Sequence, residues 1–260
     1  MIVVITGGSS GIGLETAKLY AANKENKVYV LSRRRVELDN VVSLKCDITS
    51  DEDINNAVAI IIKEAGCVDL LINNAGMGIS GAIENHQLED IKRIVDVNIV
   101  GLVNVTRKLI PYLRESKGMI VNVSSVAGPI SIPFQTMYSV TKSAVLTFSD
   151  GLRNELRPYG VRVTSVLPGD TKTGFTDSRK KSEDKGNYGD RIEKSVSKME
   201  KDERNGVPAI KIAKKILKIS KKKNPNTCYV VGTSYRLLVF LSRILPKRFV
   251  NWIIYRLYAK

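Results

Sequence analysis

Tyr138 and Lys142 stand four positions apart, and Ser125 lies thirteen positions before the tyrosine. A helix running from Tyr138 places the phenol and the ammonium on one face, one above the other. A phenol with a free-chain pKa of about 10 is a poor proton donor or acceptor at neutral pH, whereas a neighbouring cation favours the phenolate and draws its titration towards the working range. Tyr138 is therefore a candidate acid/base. Ser125 follows the apolar run Met119 to Val123, which reads as a buried strand. Its hydroxyl then sits at the strand's carboxyl edge, where open α/β sheets bind their ligands. A lone Tyr-x-x-x-Lys recurs on solvated lysine-bearing helices, so the weight must come from the elements that position these three side chains.

The chain begins with the strand-like Ile2 to Ile5, which runs into Thr6-Gly7-Gly8-Ser9-Ser10-Gly11-Ile12-Gly13 and a helical pattern through Leu14, Ala17, Lys18 and Ala21. Strand, glycine turn and helix start form a phosphate cradle of backbone N–H groups, here with G-x-x-x-G-x-G spacing in place of the usual G-x-G-x-x-G. A second strand, Lys27 to Leu31, ends in Ser32-Arg33-Arg34-Arg35. The end of this strand meets the adenosine ribose in dinucleotide folds, where a carboxylate would take the 2′-hydroxyl and an arginine a 2′-phosphate. Arginines here, with no carboxylate before Glu37, predict NADP(H), with Arg33 first and Arg34 second as phosphate ligands. Val41 to Cys46 reads as a third strand leading to Asp47 and Ile48. Asp47 is placed to accept from the adenine amino group, while Ser50 or a neighbour caps the helix Asp51 to Ala65. Val68 to Ile72 reads as the fourth strand, and the small residues of Asn73-Asn74-Ala75-Gly76 allow close approach of a ligand.

A long helix is expected from about Leu88 to Arg114, with Asn98 inside the apolar stripe of Val95, Leu102 and Val105. A buried amide needs partners, so Asn98 either satisfies a local backbone break or holds a water for the reaction. Val161 to Leu167 reads as a sixth strand, closed by Pro168-Gly169-Asp170-Thr171-Lys172-Thr173. Strands alternating with helices on short connections predict one α/β domain over residues 1–260. Its architecture is a Rossmann-type, doubly wound parallel sheet with helices on both faces and an extra C-terminal helical segment.

The composition of the 260 residues agrees with one globular core, and Met1 followed at once by a strand gives no sign of a secretory leader. The expectation is a cytoplasmic protein. Cys46, Cys67 and Cys228 lack the paired spacing of a metal or redox motif and read as buried free thiols. His86, the single histidine, reads as a surface loop residue, and no metal site is expected. The net charge of +15 lies entirely in the last third: residues 1–178 hold 19 basic and 19 acidic residues, residues 179–260 hold 22 and 7. No acidic side chain follows Glu203. A solvated lysine-rich helix, an anionic membrane, an anionic substrate or nucleic acid would each account for that excess.

Taken together, the turn from Thr6, Asp47, Asn73 to Gly76, Asn98, Ser125, Tyr138 with Lys142, and Pro168-Gly169 resemble the short-chain dehydrogenase/reductase family over about residues 1–178. The resemblance implies that Tyr138 exchanges the proton with the substrate oxygen, Ser125 hydrogen-bonds that oxygen, and Lys142 holds the nicotinamide ribose. It also implies that Asn98 supports a relay water, and that Pro168, Gly169 and Thr171 or Thr173 frame the nicotinamide. The segments Asn74 to Gly81 and Ser131 to Phe134 are similar to the branch of 17β-hydroxysteroid and retinol dehydrogenases, so that Met77, Gly78, Ile132 and Phe134 would join Ser125 and Tyr138 in a pocket for a large apolar substrate. A homodimer or homotetramer through the two long helices is implied as well.

Residues 174–205 read as a mobile substrate lid, Val207 to Ser220 as a helix with a basic outer face, and Cys228 to Val231 as a last strand. The amphipathic segment 233–260 is broken by Pro246 and too interrupted to span a membrane. It would lie on an anionic membrane, cover the pocket or pack against another subunit. The reading is an NADP(H)-dependent oxidoreductase interconverting a secondary alcohol and a ketone on a hydroxysteroid or bile acid. Reduction of acyl-chain, retinoid or small carbonyl compounds is the alternative. The non-enzymatic alternative is a dinucleotide-sensing protein that binds membranes or nucleic acid; with the three catalytic side chains in place, no nucleic acid is expected.

Overall fold

The computed structural model describes residues 1–182 and 186–260. Seven strands form one parallel sheet: β1 Ile2–Thr6, β2 Lys27–Ser32, β3 Val41–Lys45, β4 Leu70–Asn73, β5 Met119–Val123, β6 Arg162–Pro168 and β7 Cys228–Val231. Their order is β7-β6-β5-β4-β1-β2-β3. The chain starts in the interior of the sheet, winds outward to β3, crosses back and continues to β7, which is the doubly wound topology expected. The winding reverses between β1 and β4, and this switch point opens a crevice at the strands' carboxyl ends.

Alternation along the strands divides the core. From β1, Val3 and Ile5 join Ala17 and Tyr20 of α1 (Gly11–Ala21) and Ile212 and Ile216 of a later helix on one face. Val4 faces the other side, where it meets Ile54 and Ile61 of α2 (Asp51–Ala65) and helices from further along the chain. Both faces are covered, so β1 is fully apolar and buried from Val3 to Ile5. Ser50 caps α2 by accepting from the Asp53 N–H at 3.1 Å, the structural role foreseen for it.

The long helix expected from Leu88 to Arg114 is interrupted. It is built as α3 (Leu88–Val95), a π-helical stretch Asp96–Gly101, and α4 (Leu102–Glu115). Asn98 lies within this stretch, and its side chain bonds to another segment as described below. The thiols also differ from expectation: all three are free, but only Cys46 is buried, and Cys67 and Cys228 are half-buried. His86 is half-buried, and burial lowers its pKa.

After β5 the chain forms α5 (Thr136–Leu156), then β6 and a short helix α6 (Phe175–Ser178). The expected lid, 174–205, is built against the body of the protein over its described residues; 183–185 lie outside them. Lys180–Lys181 pair with Ile79–Ser80 as a two-residue parallel ladder, and α7 (Arg191–Arg204) follows. Within it Arg179 and Thr176 both donate to Glu203, the threonine at 2.6 Å. Helix α8 (Ala209–Ser220) packs on α1. The C-terminal segment forms α9 (Thr233–Ile244) and α10 (Lys247–Tyr258), separated at Pro246. No helix among the described residues is long and apolar enough to cross a membrane.

Candidate active site

A cleft of about 980 Å3 runs along the carboxyl edge of the sheet, from the glycine turn to Tyr138 and on towards α9 and α10. The turn owes its shape to close backbone contact. At Gly7, with φ of +66°, an added Cβ would lie 2.7 Å from Ala75 Cα, and at Gly13 it would lie 2.4 Å from the Gly7 carbonyl oxygen. Any larger side chain would push the cradle apart. Asn74 fastens it from the far side, donating through Nδ2 to the carbonyls of Thr6 and Gly7, both at 3.1 Å. Thr6 Oγ1 accepts the N–H groups of Asn74 and Ala75, also at 3.1 Å; sequence reasoning quoted this threonine in the motif but gave it no task. Gly7, Ser9, Ser10, Gly11 and Ile12 line the cleft, whereas Gly13 packs behind them. Ser10 precedes α1 without a side-chain cap, and no acidic residue sits in the first turn. The N–H groups at this helix start are thus directed at the cleft, a site suited to a pyrophosphate.

Arg33, Arg34, Asp47 and Ile48 line the same end, with Arg93 of α3 opposite. Burial acts to raise the Asp47 pKa, but the N–H and hydroxyl of Thr49, at 3.0 and 2.8 Å, and the charges of Arg33 and Arg93 outweigh it and hold the carboxylate below its ordinary range. A positive rim around an ionised acceptor suits the adenosine end of a dinucleotide. Arg93 was missed, because in sequence it is one more basic residue on an exposed helix.

Asn98 is buried at the π-helical stretch and clamps Met77. Its Oδ1 accepts the Met77 N–H at 2.8 Å, and its Nδ2 donates to the Met77 carbonyl at 2.9 Å and to Thr141 Oγ1 at 3.0 Å. Both amide protons are therefore used on protein atoms. Its side chain thus satisfies the backbone of Met77 and the hydroxyl of Thr141, both in segments other than its own. The clamp also fixes Gly76: a Cβ there would sit 3.3 Å from Asn98 Oδ1 and 3.5 Å from Lys142 Nζ, so glycine keeps the space between them clear.

Tyr138 and Lys142 occupy the first two turns of α5, with the ammonium 5.7 Å from the phenol ring centroid. Lys142 is 6% exposed and donates to the Val123 carbonyl at 3.0 Å; Ser124 Oγ in turn donates to the Lys142 carbonyl at 2.7 Å. Ser125 Oγ accepts the Ala127 N–H at 3.1 Å and faces the phenol closely enough to favour its ionised form. Burial is nonetheless the dominant influence on both groups. It pushes Tyr138 up to about 12, with Ser125 and Arg179 opposing and Glu203 adding to the rise, and it pulls Lys142 down to about 8. The expectation that the ammonium makes this phenol more acidic is not met by the protein's own charges. Desolvation disfavours both charged forms, so a neutral Tyr138 is the resting species and can donate its proton.

Pro168, Gly169, Thr171 and Thr173 also border the cleft. Thr171 Oγ1 donates to the Gly169 carbonyl at 2.8 Å, and Thr173 reaches across Gly11. The ring of Tyr235 lies so close over Gly169 that an added Cβ would be 2.0 Å from it, and its hydroxyl donates to Asp170. Tyr235, Asp170, Phe175 and Glu203 line the cleft as well; none was singled out as a site residue, although Asp170 adjoins Gly169, Phe175 and Glu203 lie in the segment 174–205, and Tyr235 lies in the C-terminal segment 233–260. Phe175 packs on Tyr138 with ring centroids 5.6 Å apart. Met77 and Ile132 line the cleft as expected, but two expected pocket residues do not. Gly78 is covered by Phe175, whose Cζ would be 2.9 Å from an added Cβ. Phe134 turns away in a left-handed conformation, φ of 58°, and packs edge-on against Tyr188 of the segment 174–205. No group of three or more His, Cys, Asp or Glu that could hold a metal ion occurs among the described residues.

The family description short chain dehydrogenase matches residues 1–184. A 3-ketodihydrosphingosine reductase from Bacteroides thetaiotaomicron is 39% identical over 264 residues, covering 99% of this chain and 98% of that protein. Among solved structures, a short-chain dehydrogenase from Streptomyces avermitilis superposes with a TM-score of 0.84 at 25% identity, over 98% of this chain and 95% of that one. A 3-ketoacyl-(acyl-carrier-protein) reductase from Brucella melitensis complexed with NADH gives 0.75 at 26% identity, over 88% and 96% of the two chains. A short chain dehydrogenase from Burkholderia cenocepacia in complex with NADP gives 0.77 at 24%, over 97% and 96%, a likeness of fold.

Proposed function

Because the chain belongs to the short-chain dehydrogenase/reductase family and is an oxidoreductase of that kind, we propose that it uses NADP(H) to reduce a long-chain lipid ketone, of the 3-keto sphingoid-base type, to its secondary alcohol. The observation that carries this reading is the convergence of Ser125, Tyr138 and Lys142 in a cleft whose far end is the Gly7 to Gly13 cradle. The reductase from Bacteroides thetaiotaomicron, alike over nearly the full length of both chains, supports the substrate class. It also moves the preferred substrate from the hydroxysteroid or bile acid expected from sequence to an acyl-chain ketone.

The cradle and the start of α1 would hold the pyrophosphate. Asp47 would take the adenine amino group, Arg33 and Arg34 the 2′-phosphate, and Lys142 the nicotinamide ribose, with Pro168, Gly169, Thr171 and Thr173 beside the ring. When bound, the reduced nicotinamide supplies a hydride. Tyr138, neutral through burial, gives its proton to the carbonyl oxygen, and Ser125 donates a hydrogen bond to the same atom. Two hydroxyl donors oppose the negative charge that develops there. Lys142, with a pKa near 8, exchanges protons at working pH and can reprotonate the phenol across the gap above Gly76. Asn98 borders that gap, and we assign it the support of the relay there. Assembly as a homodimer or homotetramer through α4 and α5 fits the exposed Val140 of α5 and the exposed Val100 of the π-helical stretch just before α4, and a place in the cytoplasm is proposed with it.

The test is oxidation of NADPH and NADH over a panel of a 3-keto sphingoid base, acyl ketones, retinal, oxo-steroids and oxo-bile acids. Fastest turnover with the long-chain amino ketone and NADPH is expected. Fastest turnover with an oxo-steroid would restore the earlier substrate reading, and a preference for NADH would refute the assignment of Arg33.

A further inference from the structure

The two C-terminal helices present opposite faces of different character. Inward, Val239, Val250 and Ile254 pack with Ile130 in a small apolar cluster beside the active-site segment that follows Ser125. Outward, Leu237, Phe240 and Ile244 of α9 are 60%, 58% and 62% exposed, and Phe249 and Trp252 of α10 stack on one another at 6.0 Å while about half exposed. Isolated apolar residues at a surface need no explanation, but five large ones exposed on two consecutive helices, at i, i+3 and i+7 in α9 and i, i+3 in α10, give each helix an apolar face open to a partner. Around it stand the exposed cations Arg236, Arg243, Lys247, Arg248 and Arg256, the last over the Trp252 ring at 5.1 Å. No acidic residue follows Glu203 in the chain.

We propose that this face of α9 and α10 docks on an anionic lipid bilayer and that the cleft draws its lipid ketone from that surface; the second half rests on the substrate reading above. Charge decides the partner. A two-fold contact between copies of this chain would set arginines against arginines, whereas an anionic headgroup layer complements cations that flank buried aromatic and aliphatic side chains. Continuity with the cleft decides the role. Leu238 of α9 and Ile254 of α10 line the cleft from within, and Leu257 both lines it and is 44% exposed, so the apolar path from bilayer to Tyr138 passes between these helices. The path is tied to the lid: Arg191 of α7 donates to the Ala259 carbonyl at 2.9 and 2.6 Å, and Lys198 donates to that of Leu257 at 3.1 Å.

Trp252 is the only tryptophan, so its fluorescence reports docking directly. The full chain is mixed with vesicles of phosphatidylcholine alone or with phosphatidylglycerol, at low and high salt. A blue shift and co-sedimentation that need the anionic lipid and weaken with salt are expected. The double variant Leu237→Ser/Phe240→Ser, checked for an unchanged circular dichroism spectrum, should lose vesicle binding and lose at least about tenfold in turnover of vesicle-embedded ketone. It should keep its rate on a short soluble ketone. Unshifted fluorescence with anionic vesicles overturns the docking face even if detergent-dispersed ketone is reduced. A variant that no longer binds vesicles yet turns over embedded ketone at the full rate overturns delivery from the bilayer. Light scattering that shows the wild type dimerising through this face, or binding restricted to an acidic protein, overturns the choice of partner. Vesicle binding by an enzyme inactive on every lipid ketone would leave docking standing and refute the substrate class instead.

Discussion

Replacing Asn98 by alanine separates a clamp from a water holder. The substitution removes three hydrogen bonds, at 2.8, 2.9 and 3.0 Å, and leaves the N–H and C=O of Met77 and the hydroxyl of Thr141 to find other partners. At a net value of about 1 kcal/mol for each bond, the loss is about 3 kcal/mol of folding stability. For a chain of this size that corresponds to a fall in Tm of roughly 6 to 12 °C. Because Met77 and Gly76 border the reacting groups, their displacement should also lower kcat by roughly tenfold to a hundredfold. Thermal unfolding followed by circular dichroism, beside steady-state oxidation of NADPH, reads both effects. Thr141→Val removes one of the three bonds together with the 2.8 Å bond from Thr141 Oγ1 to the Tyr138 carbonyl, and at the same value per bond should give about two-thirds of the stability loss. A variant with an unchanged Tm and a fallen kcat would refute the clamp and leave relay support as the whole role. A fallen Tm with an unchanged kcat would refute the claim that the clamp positions the site.

Three further outcomes follow from the geometry. Arg33→Glu should lower kcat/KM for NADPH by roughly tenfold to a hundredfold, as loss of one charge-assisted contact implies, with little change for NADH; equal losses with both cofactors would place Arg33 elsewhere. Lys142 carries a pKa lowered to about 8 by burial, while the unfolded chain keeps it near ~10.4. The buried charge therefore disfavours the fold fully below about pH 8, and that penalty, about 3 kcal/mol at most, fades as pH rises towards the unfolded value. Lys142→Met should accordingly be most stabilising at pH 7 and least so near pH 10 in urea unfolding, and a pH-independent difference would contradict the burial argument. Gly13→Ala, which would set a Cβ against the Gly7 carbonyl, should weaken NADPH binding at least tenfold by isothermal titration, and unaltered affinity would remove the cradle from the account.

Much of this architecture is readable before any coordinates, and the reason is local. Strands buried on both faces are nearly continuous apolar runs, so β1 and β5 declare themselves, and the four-residue step from Tyr138 to Lys142 follows from helical pitch. The π-helical stretch is hidden because Val95, Leu102 and Val105 keep an apolar stripe through it; the stripe shows burial, not the hydrogen-bond pitch of the backbone. Phe134 has the right composition for a pocket wall, but its left-handed backbone turns it onto Tyr188. Tyr235 over Gly169, with its hydroxyl on Asp170, joins residues far apart in the chain, and no spacing rule connects them. The protonation of Tyr138 is set by burial as well as by charge. The sequence shows the neighbouring ammonium but not the burial that outweighs it.

Tyr138→Phe tests the central claim most directly. The variant keeps the ring that packs on Phe175 and removes only the oxygen that would deliver the proton. NADPH binding, followed by nucleotide fluorescence, should stay within about threefold of the wild type, while ketone-dependent NADPH oxidation falls by at least about a hundredfold, the lower end of what a positioned acid contributes. Turnover within tenfold of the wild type, with binding intact, would mean that the proton comes from another group and that this site has been misread.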